Sequence, residues 1–222
     1  MKKTLLLITF VFGLGSSAWA STCASGTLAV YDVPGFTCSL GDITFSNFMY
    51  TSSAFGGALA PPDSGVAVTP VTSGFGTDTG LLFTSGWLVA SGETIDSSIT
   101  YDVSTTNPGG ITDLDLVTAG GAANGGLASV AEISVAPSES LFTEFGSGPG
   151  IPSDSVTFPP VMSLDLTKDI GVTGGTSGAA HLSDVYNLFS EGTSTMTPEP
   201  SLVILCAGLI GLVPLARRKF AR

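Results

Sequence analysis

The sequence predicts an all-β protein: a single antiparallel β-sandwich of jelly-roll-like layout, flanked by an N-terminal signal peptide and a C-terminal hydrophobic anchor helix. Three observations carry this expectation. Gly, Ser, Thr and Pro punctuate the long middle segment about every ten residues, as the turns between short strands do. The intervals between them are rich in Val, Ile, Thr, Phe and Tyr and alternate with a period of two. Helical periodicity is almost absent, and no period of about 20 to 50 residues repeats, which argues against a solenoid or a propeller.

At the N-terminus, Met1-Lys2-Lys3 is followed by an apolar stretch from Leu5 to Leu14 and by Ala18-Trp19-Ala20. This is the order of a signal peptide, with Ala18 and Ala20 as the small residues of the cleavage site and residues 1–20 removed on export. Cys23 and Cys38 follow, the only thiols between the two targeting ends. An even pair in an oxidising compartment is expected to form a disulfide, since a metal site would need further soft ligands.

The expected strands come next. The segment from Ile43 to Tyr50 begins in alternation and is expected to bulge around Asn47. Val66-Ala67-Val68 is a short alternating piece, and Leu82-Phe83 opens a strand that leads to Trp87. Alternation places Ile99, Tyr101 and Val103 on one face of a strand, and in the same way Ala131, Ile133 and Val135, then Leu164 and Leu166. Such half-buried strands suit antiparallel sheets with one wet face. Residues 60–65, 107–110, 120–126 and 146–150 read as loops, with Asn124-Gly125 a tight hairpin turn. Gly174, Gly175 and Gly178 bracket the last turn before residues 181–189. There Leu182, Val185, Tyr186 and Phe189 recur at helical spacing, yet the segment is assigned as strand. The folded body is expected to span residues 21–192, with a linker at 193–197.

Charge narrows the partners. Lys168 is the only Lys or Arg between residues 21 and 197, whereas all but one of the chain's 18 Asp and Glu residues fall there, so the body is more negative than the whole-chain charge of −11. No nucleic acid partner is expected, because phosphate binding depends on Lys and Arg displacing counterions. The acidic residues are scattered singly, as on a solvated and self-repelling surface. Lys168 is expected at most to make an exposed ion pair, worth about 0–1 kcal/mol.

Catalytic constellations are not found. A Ser-His-Asp hydrolase would have to use His181, the only His in the chain, and no G-x-S-x-G motif accompanies it. The body is therefore expected to be non-enzymatic and without a cofactor. As a runner-up, the sequence allows a carbohydrate-binding module in which Trp87 stacks on a sugar ring together with Tyr101 or Tyr50, although Trp87 is first of all a core residue. Asp113 and Asp115 lie on one strand face about 7 Å apart and form a weak candidate calcium pair, with neither EF-hand spacing nor a nonapeptide repeat around them.

The C-terminus is read from three consecutive parts. Pro198-Glu199-Pro200 stays extended, because proline fixes φ and pushes its predecessor out of the helical region. The uncharged run from Leu202 to Ala216 rises about 22 Å as a helix, short of a bilayer core of about 30 Å. Arg217, Arg218 and Lys219 close it as a basic stop held on the cytoplasmic side. Together these parts resemble the PEP-CTERM sorting signal of Gram-negative bacteria, here over residues 198–222. That resemblance implies a transient stay in the inner membrane, recognition and trimming by an exosortase, and delivery to the cell surface or extracellular matrix, where many such proteins accompany exopolysaccharide. The early Cys pair, Gly41-Asp-Ile-Thr-Phe-Ser46 and the strand into Trp87 more loosely resemble ectodomains of the same proteins. The expected function is that of an exported, non-enzymatic surface or matrix protein, with extracellular polysaccharide as its expected partner.

Overall fold

The computed structural model describes residues 21–72 and 78–193. The expectations for Ala18 and Ala20, for Pro198, Glu199 and Pro200, for the apolar run and for Arg217, Arg218 and Lys219 lie outside the described residues, as does most of the linker. Among the described residues no helix is long and apolar enough to cross a membrane.

Two sheets face one another. The first has the spatial order β1 (Ser21–Thr22), β3 (Thr37–Leu40), β4 (Ile43–Phe55), β7 (Thr94–Thr105), β12 (Ser163–Thr173), β9 (Leu127–Ser134) and β10 (Glu139–Phe145). The second has the order β11 (Ser153–Val161), β8 (Ile111–Ala123), β13 (Ala179–Glu191), β6 (Thr79–Val89), β5 (Ala67–Thr72) and β2 (Gly26–Thr27). This is the expected β-sandwich. Its pairings are antiparallel with one departure: β1 runs parallel to β3, with Ser21 opposite Cys38 and Thr22 opposite Ser39.

Alternation builds the core between the sheets. Along β7, Ile95, Ile99, Tyr101 and Val103 are buried, and along β12 Leu164, Leu166, Ile170 and Val172. They meet Leu81, Phe83, Trp87, Leu114, Leu116, Val185 and Phe189 from the second sheet. The one-turn helix α1 (Leu28–Tyr31) adds Leu28 and Tyr31 at one end, where Tyr31, Phe36 and Phe48 pack ring against ring.

Local sequence explains the irregular places. The register of β4 on β7 shifts between Ser46 and Met49, and Asn47 sits at φ 55°, a left-handed conformation that Asn tolerates. This is the bulge expected there. In β13 a second bulge separates Leu182 from Asp184. The extra residue resets the alternation, so Leu182 and Val185, three apart, both point inward. That phase change, and no helix, produced the helical spacing seen in the sequence.

Two expectations need correction. Residues 120–123 continue β8 instead of forming a loop, and the Asn124-Gly125 turn does not close a hairpin within one sheet. Both residues have positive φ, 53° and 89°, as a tight turn requires, but β8 belongs to the second sheet and β9 to the first. The turn hands the chain from one layer to the other. In β9 the buried face is also the opposite of that expected: Ala128, Val130, Glu132 and Ser134 point inward, while Ile133 and Val135 are exposed. The register with β12, which sets Glu132 opposite Lys168, decides the face, and apolarity alone does not.

At the perimeter, pairing of β11 with β8 breaks between Thr157 and Val161, across Pro159-Pro160. The opposite layer's β10 touches the segment leading into β11 through a Glu144–Ile151 bridge, and the Asp154 carboxylate accepts the backbone N–H of Phe142 at 2.9 Å.

Cys23 and Cys38 form the expected disulfide. It closes a loop with a sequence separation of 15 residues beside the Tyr31 ring cluster. Replacing both cysteines with serine is expected to lower stability by about 3 kcal/mol in the loop-entropy account, read as a lower urea midpoint.

Candidate functional site

Two places combine polar chemistry with defined geometry: a groove on the outer face of the first sheet and a charged cluster inside the sandwich.

The outer face follows from the same alternation that builds the core. Ser46 on β4, Asp102 on β7 and Asp165 on β12 stand in register across three neighbouring strands, and Thr44, Ser104 and Ser163 form the next row. With Val135 and Ala136 as one wall, Ser46, Asp102, Asp165, Ser104 and Ser163 of these rows line a groove of about 440 Å³. The Asn47 bulge is tied to one of its lining residues, its amide donating to Asp102 Oδ2 at 2.5 Å. Further along the face, Thr100 and Thr167 share a hydrogen bond of 3.3 Å. Hydroxyls and carboxylates of this kind can exchange hydrogen bonds with a polyhydroxylated ligand.

The buried cluster has Lys168 at its centre. Lys168 and Glu132 are both fully buried and pair at 2.5 Å between Nζ and Oε2. Lys168 Nζ also donates to Asn187 Oδ1 at 2.5 Å, and Asn187 Nδ2 donates to Glu132 Oε1 at 3.0 Å and to the Asp115 carbonyl at 3.2 Å. The Tyr101 hydroxyl donates to the same Asn187 Oδ1, and Lys168 Nζ stands 5.2 Å from the centre of the Tyr101 ring. Phe48 stacks on Tyr101, with Phe45 and Phe83 around it. Burial pushes the Lys168 ammonium below the ordinary lysine value, and the Glu132 carboxylate opposes that shift. Burial, with Glu132 in second place, holds the Tyr101 phenol well above its ordinary value and therefore protonated. The exposed ion pair expected of Lys168 is thus corrected to a buried one. Apolar neighbours leave both charges no water, so each must find its partner within the protein.

The proposed sugar platform does not assemble. Trp87 and Tyr101 have no exposed surface, so neither ring can stack on a ligand from solvent. Trp87 instead donates from Nε1 to Ser97 Oγ at 3.2 Å. Tyr50 is half-buried and directs its hydroxyl to the Pro61 carbonyl and to Ser97. These three aromatics are structural, because the inward face of each strand gains more from burying a ring than from exposing it.

Asp113 and Asp115 lie two residues apart on β8 as expected, but Asp113 Oδ1 already accepts the Ser190 N–H at 2.7 Å. Among the described residues no group of three or more His, Cys, Asp or Glu side chains is placed to hold a metal ion. Burial, then the neighbouring Asp113 and Asp78 carboxylates, raises the Asp115 carboxyl above its ordinary value. A folded-state pKa above the unfolded one favours folding at low pH and loses that contribution as pH rises. Asp115→Asn is therefore expected to raise the thermal midpoint at pH 7, with the gain vanishing as the pH falls toward the ordinary carboxylate range.

His181 projects from β13 over an apolar hollow of about 280 Å³ bordered by Leu88, Gly121, Ala123 and Ala179. Neither a carboxylate nor a hydroxyl lines this hollow, so nothing there would orient the imidazole as a base.

No family model matches the chain, and no curated protein matches it. Among solved structures it is similar to TmCBM61 in complex with β-1,4-galactotriose, at 12% identity over 62% of this chain and 86% of that one, with a TM-score of 0.31. It is similar also to the CBM36-1 domain of a multidomain xylanase from the hindgut metagenome of Trinervitermes trinervoides, at 13% identity over 67% and 100% of the two chains, TM-score 0.25. A family 11 carbohydrate-binding module from Clostridium thermocellum, in complex with a β-1,3-1,4-mixed-linked tetrasaccharide, matches at 11% identity over 65% and 91%, TM-score 0.21. With scores this low, the functional reading rests on the chain's own geometry.

Proposed function

We propose that this chain is an exported, non-enzymatic surface or matrix protein, a jelly-roll-like sandwich whose C-terminal tail is trimmed by an exosortase at Pro198-Glu199-Pro200. The observation that carries the export reading is the Cys23–Cys38 disulfide, a bond that persists in oxidising compartments outside the cytoplasm. The order of Pro198-Glu199-Pro200, apolar run and Arg217-Arg218-Lys219 supports the trimming. Mass spectrometry of the protein recovered from the outer fraction of its source cells tests the proposal. A terminus upstream of the apolar run is expected, and a mature chain that still ends at Arg222 would overturn the trimming.

A second reading, that the body is a carbohydrate-binding module, is favoured by the groove. Asp102 and Asp165 with Ser46, Ser104 and Ser163 line it, an arrangement suited to neutral glycans and repellent to acidic ones. The ligand would be held by hydroxyl and carboxylate hydrogen bonds and not by aromatic stacking. Affinity electrophoresis through gels cast with neutral and with acidic polysaccharides tests it. Retardation by a neutral glucan, galactan or xylan that Asp102→Ala with Asp165→Ala removes would support the reading. Unchanged retardation in that double variant, or none on any gel, would exclude the groove as a sugar site.

A further inference from the structure

We propose that Lys168 and Asn187 are joined side chain to side chain by an intramolecular isopeptide bond, which the chain forms by itself with Glu132 as the proton carrier. The three residues come from three strands, β12, β13 and β9, and from both sheets. Lys168 and Asn187 occupy inward positions that their strands otherwise fill with apolar residues, Leu166 and Ile170 beside Lys168 and Val185 and Phe189 beside Asn187, and Glu132 is likewise buried. A lysine, an amide and a carboxylate would not converge there for stability alone, since an apolar set of similar volume serves a core as well or better.

The arrangement meets the needs of an amide exchange. The nucleophile is at hand, because Lys168 Nζ lies 2.5 Å from Asn187 Oδ1, one bond away from the carbon it would attack. The base is in place, because Glu132 touches Nζ through Oε2 and the amide nitrogen through Oε1, so one carboxyl group spans the attacking and the departing nitrogen. The carbonyl is polarised by the Tyr101 hydroxyl, a donor aimed at the oxygen on which negative charge develops. Burial lowers the Lys168 pKa, which favours the free amine over the ammonium, and the surrounding rings keep water from competing.

The steps balance without any co-reactant. The Lys168 ammonium passes a proton to Glu132, leaving a neutral amine and a carboxylic acid. The amine lone pair adds to Asn187 Cγ, and the carbonyl oxygen takes the negative charge against the Tyr101 hydroxyl. Glu132 then protonates Nδ2 through Oε1 and removes a proton from Nζ through Oε2. The Cγ–Nδ2 bond breaks, ammonia leaves and the carbonyl reforms. The Cγ–Nζ amide remains, and Glu132 ends protonated beside it. The new bond runs from the first sheet to the second through the middle of the core.

The sequence supplies an unusually direct assay. Lys168 is the only Lys or Arg between residues 4 and 216, so trypsin can divide the body only after that residue, and it does not cut after a lysine whose amine is acylated. The full chain, recovered from an oxidising compartment, is denatured and digested, with intact mass measured in parallel. The expected wild-type result is a chain lighter by one ammonia molecule that trypsin leaves undivided at Lys168, with a Lys168–Asn187 branched peptide after digestion by an Asp-specific protease, which can cut at Asp169 and Asp184 between the two residues. Glu132→Gln and Asn187→Ala are expected to lose the mass deficit and to be cut at Lys168. A succinimide at Asn124-Gly125 would also shed ammonia, but it would leave Lys168 cleavable and would survive Asn187→Ala, and that result overturns the proposal. So does a wild-type chain of full mass that is cut at Lys168, a measurement that requires no variant to fold.

Discussion

Glu132→Ala is expected to lower the stability of the body by about 3–5 kcal/mol, the range found when one partner of a buried ion pair is removed. The carboxylate meets Lys168 Nζ and Asn187 Nδ2 together, and alanine would leave both without it where no water reaches. The loss includes any covalent tie that Glu132 helps to form. Urea unfolding followed by Trp87 fluorescence reads it as a lower midpoint, with a slope close to that of the wild type if the unfolded state is unchanged. A loss below about 1 kcal/mol would show that the polar cluster contributes little and that the surrounding rings suffice.

Trp87→Ala is expected to cost a similar amount, about 3–5 kcal/mol, as a large ring taken from a close-packed core. Trp87 has no exposed surface and lies on β6 among Phe83, Val89 and the inward residues of β7. Its indole nitrogen also satisfies the buried Ser97 hydroxyl. Trp87→Phe keeps most of the volume and loses that hydrogen bond, so a cost of about 1 kcal/mol is expected. Thermal unfolding monitored by circular dichroism separates the two variants. If Trp87 were a sugar platform, the alanine variant would melt like the wild type and lose only retardation on a polysaccharide gel.

Much of the fold was legible because strand alternation is a local signal. The faces of Ile99, Tyr101 and Val103 and of Leu164 and Leu166, the bulge at Asn47 and the Cys23–Cys38 pair all came from neighbouring residues and simple chemistry. The failures came where distant residues decided. Ala131, Ile133 and Val135 were read as buried because they are apolar, yet β9 turns Glu132 inward to meet Lys168 of a strand 36 residues away. A signal was present: Leu164, Leu166, Lys168 and Ile170 occupy one register, and so do Val185, Asn187 and Phe189, which puts a polar group in line with core positions on two strands. Alternation alone could not say that these exceptions meet. Trp87 and Tyr101 were weighed as ligand rings because composition singles out rare aromatics, while burial depends on the opposing sheet. The groove around Asp102 and Asp165 was missed because it is assembled by cross-strand register, which no single stretch of sequence displays.

The margins of the two layers are protected unequally. One sheet ends in β1 and the other in β2, each of two residues, and beyond the short β3 residues 49–55 of β4 pair with β7 alone. At the far side β10 and β11 lean together, and Asp154 occupies the Phe142 amide that a newcomer would need. Pro159 and Pro160 remove two donors from the remaining stretch. Copies crowded together at high local concentration therefore find few open amides on that side, and the stretch of β4 beyond β3 is the margin from which an intermolecular β-polymer would have to grow.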